Sequence, residues 1–221
     1  MKHNARLIIL HSTKLGENSL VLHCLTPEWG RRSFLCRISR GTSMALYLPL
    51  SINDALVTEN AKSDLWRADS LSAAFSLNSI RTNPYKNAIS LFMSEVLYRA
   101  IHEGAYEPGL FEWCRKSILT LEELPSDCSN YHLVWLLDLC REMGFEPSAE
   151  ALQQAGLIPG RALLRMLGRT AAENLLLPMN GSERSETAGM LLKYLGIHIE
   201  NNLNVKSLSV LQELFKPCQQ Q

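Results

Sequence analysis

Short apolar or alternating segments, separated by turn residues, occupy the first third of the chain. Residues 6–12 are rich in Leu and Ile, residues 19–25 are an apolar run, and residues 31–38 alternate between apolar and polar side chains. A period of two is typical of a half-buried strand, and the connections rich in Gly, Pro, Asn and Ser are typical of hairpin turns. Further strands are predicted at residues 46–50, 52–58 and 65–76. Five or six short strands in such a stretch predict a small closed barrel such as an OB-fold, although periodicity does not separate it from other small barrels.

The pattern changes to that of a helix after Asn83, which is a candidate cap, and Pro84, which is a candidate first helical residue. Apolar residues then recur at spacings of three and four up to Gly104: Ile89, Phe92, Met93, Val96, Leu97, Ala100 and Ile101. Further helices are predicted at residues 109–124, 130–143, 148–155, 161–167, 182–195 and 207–215, with Ser148 and Ser182 as candidate caps. The sequence therefore predicts an α+β protein, with an OB-fold barrel in residues 1–78 and an all-α helical domain in residues 79–221.

The composition is that of a folded domain, with 46% hydrophobic residues in 221. The apolar run near the N-terminus is too short for a signal peptide, and none elsewhere approaches the roughly 20 residues that cross a bilayer. We therefore expect a cytoplasmic protein. Its six cysteines form no C-x-x-C pair, so reduced thiols are expected rather than disulfides or a zinc site.

The formal net charge is zero, but the charges are unevenly distributed. Residues 1–40 hold seven of the 22 basic residues and only two of the 22 acidic ones. A basic segment attached to a more acidic remainder is typical of a binding module for an anionic partner. The candidate DNA-binding residues, on or near the predicted hairpin, are Lys14, Arg31, Arg32, Arg37 and Arg40.

Two interpretations of these basic residues stay open. A charged strand edge is a common protection against aggregation. The functional alternative is contact with phosphates, with Trp29 or Phe34 as a platform for base stacking. Phe34 is expected in the core, because it shares a strand face with Cys36 and Ile38.

No catalytic motif is present: the chain lacks a Walker loop, a Rossmann glycine fingerprint, H-E-x-x-H and G-x-S-x-G. His11, His23, Cys24 and Cys36 lie on neighbouring predicted strands, but their spacing matches no recurring metal-ligand pattern. We therefore expect neither an enzyme nor a metal or other cofactor.

Three segments in order carry a resemblance to a known family. They are RLIILHS at residues 6–12, GENSL at residues 16–20 and LTPEWGR at residues 25–31. This opening resembles that of the RecO family of recombination mediators, which begins with a strand ending in His-Ser, a Gly-Glu/Asp-x-Ser-Leu step and a Thr-x-Glu-x-Gly-Arg hairpin. Residues 191–195 and 206–211 look like the C-terminal elements of the same family, so the resemblance covers essentially the whole chain.

The resemblance implies an OB-fold followed by a helical domain that contributes protein contacts and part of the DNA surface. It implies no catalysis, binding of single-stranded and double-stranded DNA, and annealing of complementary strands. The implied partners are RecR, the acidic C-terminal tail of single-stranded DNA-binding protein and, indirectly, RecA and RecF.

The chain departs from the family in two places. Relatives carry a Gly-x-Arg and further basic residues after the third strand, whereas only Arg37 and Arg40 stand there in this chain, so weaker direct DNA binding is expected. Some relatives hold four zinc-binding cysteines in the helical domain, whereas only Cys218 follows Phe145 here, so no zinc is expected.

The helical domain would then offer an apolar groove with basic edges to an acidic peptide that ends in an aromatic residue. Charge alone nominates the candidate partner-binding residues, which are Arg99, Arg115, Arg161, Arg165 and Arg169. The rival interpretation is a helical scaffold whose barrel binds protein and has no nucleic-acid role.

Overall fold

The computed structural model describes residues 1–38, 41–125 and 128–215. Its first part is a closed barrel of five strands: β1 (Lys2–Lys14), β2 (Ser19–Thr26), β3 (Gly30–Arg37), β4 (Ile52–Thr58) and β5 (Leu65–Ala73). The strand order around the barrel is β1-β2-β3-β5-β4, and every neighbouring pair is antiparallel except β3 and β5. This barrel, followed by helices, confirms the predicted α+β class with an OB-like N-terminal barrel.

The barrel is filled by alternate residues of each strand, as a period of two requires. Phe34 and Cys36 of β3 face this interior with exposures of 0% and 2%, which confirms that Phe34 is a core residue. The other interior residues are Ala5, Leu7, Ile9, Leu20, Leu22, Cys24, Tyr47, Ala55, Val57 and Ala68.

The strand predicted at residues 46–50 is wrong. A short 3-10 helix, Met44–Tyr47, stands there. Ser51 Oγ donates to the Ala45 carbonyl at 2.7 Å, and Asn53 Nδ2 donates to the Leu46 carbonyl at 2.8 Å. Ser51 and Asn53 thus satisfy backbone groups that a sheet partner would otherwise bind, and Tyr47 of the 3-10 helix packs into the barrel core.

The described helices are α1 (Asn78–Thr82), α2 (Pro84–Ala100), α3 (Leu110–Glu123), α4 (Tyr131–Glu142), α5 (Ala149–Gln154), α6 (Arg161–Met166), α7 (Ala171–Leu175), α8 (Gly181–His198) and α9 (Ser207–Leu214). Within the described ranges, none is long and apolar enough to span a membrane. The sequence pattern missed α1 and α7, which have five residues each and are too short to show a helical period.

Two of the three predicted helix caps are confirmed. The Asn83 side chain accepts from the backbone N–H of Tyr85 at 2.9 Å, and the Ser148 side chain caps α5. Ser182 is not the cap of α8. Asn180 takes that place, in a capping box with Glu183, because an Asx residue three positions before a glutamate satisfies two backbone N–H groups at once.

The fold divides into two compact units that interleave along the chain. The barrel unit consists of Met1–Thr82 and Ser94–Glu122, and the helical unit consists of Asn83–Met93 and Glu123–Gln221. In the helical unit the buried helix α4 packs against α8. The proposed division into domains at residue 78 stays a prediction.

Candidate nucleic-acid interface

The turn between β2 and β3 is fixed by its own sequence. Thr26 Oγ1 donates to the Gly30 carbonyl at 2.9 Å and accepts from the Trp29 N–H at 3.0 Å. Gly30 has φ of 60°, and a Cβ there would lie 1.9 Å from the Ala105 carbonyl oxygen. Only glycine fits this close approach. Thr26 and Gly30 of the Thr-x-Glu-x-Gly-Arg segment therefore have structural roles. Arg31, the last residue of the segment, has a structural role as well.

Arg31 closes the last turn of α2 within the barrel unit. Its guanidinium donates to the carbonyl of Tyr98 at 2.6 Å and to that of Ile101, and its Cζ lies 4.3 Å from the centre of the Tyr98 ring. Its backbone accepts from the Gly104 N–H at 2.8 Å. A cation at a helix C-terminus is favourable because the unpaired carbonyls there carry partial negative charge. The positive charge of Arg31 thus stabilises the C-terminus of α2 within the protein.

Arg32 lies on the other side of strand β3. It shares the inward side with Phe34 and therefore stands at one mouth of the barrel. Its Cζ lies 4.6 Å from the centre of the Trp66 ring, and its Nη1 lies 3.4 Å from the exposed Asp64 carboxylate. Arg31 and Arg32 thus face opposite sides of the strand, and the structure does not bring them together.

Lys14 and Arg37 lie at the same, opposite end of the barrel, where β1 turns into β2. Lys14 is paired with Leu20, a residue of the barrel interior, whereas Arg37 is paired with Ser19 on the outer side, so the two side chains project from opposite sides of the sheet. Both side chains are exposed, and no described acidic side chain lies within ion-pair distance of either. Arg37 is about 20 Å from Arg31 along the extended strand. Arg40 lies outside the described residues.

Arg67 is a further basic residue of the barrel that the sequence pattern did not predict as a contact. It is exposed on β5 and pairs across the parallel β3–β5 ladder with Leu35, two residues before Arg37. Leu35, Arg37 and Arg67 therefore share the outer face of the barrel, where Asp69 lies 3.5 Å from Arg67. No local signal identifies Arg67, because the pairing joins strands some 30 residues apart.

Two histidines lie on the same outer face and farther from Arg37. His11 and His23 are register partners whose rings are 5.9 Å apart, and both rings contact Tyr98. Burial, with a smaller contribution from the nearby Arg31 charge, lowers the pKa of His23. Cys24 and Cys36 lie inside the barrel. The four candidate metal ligands thus point in two directions, and no cluster of three or more ligating side chains occurs in the described residues.

The five candidate partner-binding arginines do not form one site. Arg99 and Arg115 belong to the barrel unit, where they pair with Glu95 and Glu112 at 2.8 Å. Arg165 of the helical unit pairs with Glu183 at 2.9 Å. Arg161, the first residue of α6, and Arg169, three residues beyond its last, are both exposed.

A groove of about 730 Å³ runs along α8 in the helical unit. Its walls are mainly apolar and include Leu192, Ile197 and Leu203. Among the described lining residues, Lys193 is the only basic side chain and Glu200 the only acidic one. Gly189 forms part of the floor, with nothing within 4 Å of the position that its Cβ would take. The groove is thus open down to the helix backbone.

Comparisons with known proteins agree over both parts of the chain. The family model described as "Recombination protein O N terminal" matches residues 1–75, and that described as "Recombination protein O C terminal" matches residues 81–151. A protein named DNA repair protein RecO from Phocaeicola vulgatus is 30% identical over 233 residues, covering 94% of this chain and 97% of the relative. Proteins of the same name from Bacteroides fragilis and Flavobacterium johnsoniae are 29% and 26% identical, over 94% and 97% of this chain.

The chain has an OB-like barrel with exposed basic side chains and a helical unit, and models of recombination proteins match both parts. These features define a DNA repair protein. The chain belongs to the RecO family. The resemblance of its first 31 residues to that family is thereby confirmed.

Proposed function

We propose that the protein is a non-enzymatic recombination mediator that binds single-stranded and double-stranded DNA, anneals complementary strands and helps RecA load onto DNA coated by single-stranded DNA-binding protein. Family membership supports this role, since the relatives that match nearly the whole chain are named DNA repair proteins. It acts with RecR and, indirectly, RecF in the cytoplasm, at the nucleoid.

The DNA track in this proposal is the outer face and turn end of the barrel. Lys14 and Arg37 are its main phosphate contacts, Arg67 adds to them, and Arg40 stays a candidate from the sequence. The observation that carries the proposal is the exposure of Lys14 and Arg37 without acidic partners among the described residues. Free cations attract a phosphate backbone without reading its bases, so the contact depends on salt and not on sequence.

Modest phosphate contact suits strand annealing. A protein that holds two strands loosely lets Watson-Crick pairing select their register. Arg31 belongs to the fold rather than to this track, because its guanidinium is bonded to helix carbonyls.

The groove along α8 is the proposed site for the acidic tail of single-stranded DNA-binding protein. Its apolar walls suit an aromatic side chain, and Lys193 supplies one charge for a terminal carboxylate, which would bind at the Lys193 side of the groove and away from Glu200. Arg161, Arg165 and Arg169 stay candidates for further contacts with the acidic residues of the tail.

A strand-annealing assay with two complementary fluorescent oligonucleotides tests the role of the barrel. We expect the wild type to accelerate annealing, and Lys14→Glu combined with Arg37→Glu to reduce that acceleration at least tenfold. Lys116→Glu, an exposed change on α3, is the control for a charge reversal outside the track. Equal annealing by the double variant and the control would remove the proposed track.

A peptide titration tests the groove separately. Gly189→Trp would fill the open floor of the groove, and we expect it to abolish binding of the tail peptide while leaving DNA binding unchanged. Full-affinity peptide binding by this folded variant would place the tail elsewhere.

A further inference from the structure

Two tryptophans stand at the mouth of the barrel opposite the turn that carries Lys14. Trp29, from the β2–β3 turn, and Trp66, at the start of β5, lie edge to face with ring centres 5.1 Å apart. His3 contacts Trp29 with ring centres 5.7 Å apart, and the Arg32 guanidinium covers Trp66. We call Trp29, Trp66 and Arg32 the tryptophan rim.

The rim is not part of the sealed core. Phe34 and Ala68, which lie next to Trp66 in the barrel, are both 0% exposed, whereas Trp29 and Trp66 keep part of their surface in solvent. The barrel interior is therefore already closed beneath the rim. The position of Trp29 is also fixed in advance, since its N–H is bonded to Thr26 Oγ1 at 3.0 Å.

The flat guanidinium of Arg32 lies over the indole ring of Trp66, in the position that a stacked nucleobase would take. The one described ion pair of this guanidinium is 3.4 Å long and involves Asp64, whose side chain is 96% exposed. The Arg32 side chain itself is 21% exposed, and its Nε is buried without a hydrogen-bond partner among the described residues. A stacked base that displaces Arg32 would break this long ion pair and the contact with Trp66, and would return the unpaired Nε to water.

Charges around this mouth are balanced. The nearby strand ends and the segment between β4 and β5 carry the basic residues Lys2, Arg32 and Lys62 and the acidic residues Glu59 and Asp64, and Glu28 lies in the β2–β3 turn. Arg67 directly follows Trp66, and its charge is offset by Asp69 at 3.5 Å. Such a mouth offers no strong attraction for a phosphate backbone. Aromatic faces without an excess of positive charge favour contact with bases rather than with phosphates.

We propose that the tryptophan rim is a stacking site for an unpaired nucleobase of single-stranded DNA. The proposal rests on the DNA-binding function and adds to it a second kind of contact at the other end of the barrel. Bases of a duplex are already stacked and paired and cannot enter the rim. The rim would thus distinguish single strands from duplexes, which the phosphate track cannot do.

Fluorescence anisotropy of two oligonucleotides of equal length tests the proposal with the full chain. One is oligo-dT and the other has the same backbone with abasic sites. We expect the wild type to bind oligo-dT roughly 5- to 150-fold more tightly, from the stacking free energy of one base. Trp66→Leu and Trp29→Leu should each reduce that ratio, and Trp66→Phe should restore most of it.

The salt dependence separates the rim from the track. We expect Trp66→Leu to weaken oligo-dT binding while the slope of affinity against salt concentration stays that of the wild type, because no phosphate contact is lost. Trp113→Leu, a change of a partly exposed tryptophan on α3, is the control and should leave the ratio unchanged.

Two outcomes would overturn the inference. Equal wild-type affinity for oligo-dT and the abasic strand would refute the stacking site and leave the phosphate track intact. Absence of binding to both strands at low salt would refute the DNA-binding function itself, and the rim with it.

Discussion

Replacement of Arg31 is expected to destabilise the fold and to leave DNA binding by the track unchanged. Replacement of Arg37, which lies on the same face of β3, should instead weaken DNA binding and leave the fold stable. Arg31→Ala removes two charged hydrogen bonds to the carbonyls of Tyr98 and Ile101 and the contact with the Tyr98 ring. A hydrogen bond from a charged donor contributes about 1.5–3 kcal/mol. A cation at a helix C-terminus contributes about 0.3–1 kcal/mol, and a cation over an aromatic ring about 0.5–1 kcal/mol.

Water replaces part of these contacts, because Arg31 is only partly buried. We therefore expect Arg31→Ala to lower the free energy of unfolding by about 3 kcal/mol, less than the sum of the separate contributions. Arg31→Lys keeps the charge but loses the flat guanidinium, and should recover about 1 kcal/mol. Arg37→Ala, an exposed change on the same strand, should stay within about 0.5 kcal/mol of the wild type.

Urea denaturation followed by far-UV circular dichroism measures these differences, and a salt titration of oligonucleotide binding accompanies it. Arg37→Ala should reduce the salt slope by about 0.7, the value for one lost contact to single-stranded DNA. Arg31→Ala should leave that slope unchanged under conditions where it is folded. If Arg31→Ala were as stable as Arg37→Ala and instead lost the salt slope, our assignment of Arg31 to the fold would be refuted.

Two further predictions concern the helical unit. Burial, with the nearby Arg184 charge, lowers the pKa of His132 from 6.5 to about 3, so its contribution to stability is complete above pH 6.5 and is lost as the pH falls toward 3. The free energy of unfolding should therefore drop by up to about 1.4 kcal/mol per pH unit more steeply in the wild type than in His132→Gln, and parallel pH profiles would contradict this. Gly189→Ala should stabilise α8 by about 0.4–1 kcal/mol, because its Cβ meets open space. Gly196→Ala should instead destabilise the protein by about 1–3 kcal/mol, because its Cβ would lie 2.7 Å from the Asn201 carbonyl; equal melting temperatures for the two variants would refute the contrast.

Local sequence patterns predicted the helices and strands well where backbone N–H and C=O groups are bonded within the element itself or by a cap next to it. The strand at residues 52–58 follows from a short segment bounded by turn residues, and the cap at Asn83 follows from the chemistry of one side chain. The same reasoning failed at residues 46–50, where Ser51 and Asn53 capture the backbone carbonyls of a 3-10 helix. A hydrophobic pattern contains no information about that competition.

The candidate site was harder to predict because its members differ in long-range partners. Arg31 and Arg37 have the same place in the alternation of β3, yet the carbonyls that bind Arg31 lie 67 and 70 residues away in the sequence. Arg67 joins the outer face through a parallel pairing with Leu35. Neither relation can be read from spacing, since both depend on how the barrel closes and where α2 ends.

Binding of a labelled oligo-dT across a salt series, with and without RecR from the same organism, tests the central claim most directly. We predict binding at low salt that weakens steeply as salt rises, with a smaller slope when Lys14 and Arg37 are both replaced by alanine. Binding that does not change with salt, or no binding even with RecR, would contradict a basic barrel face that tracks DNA.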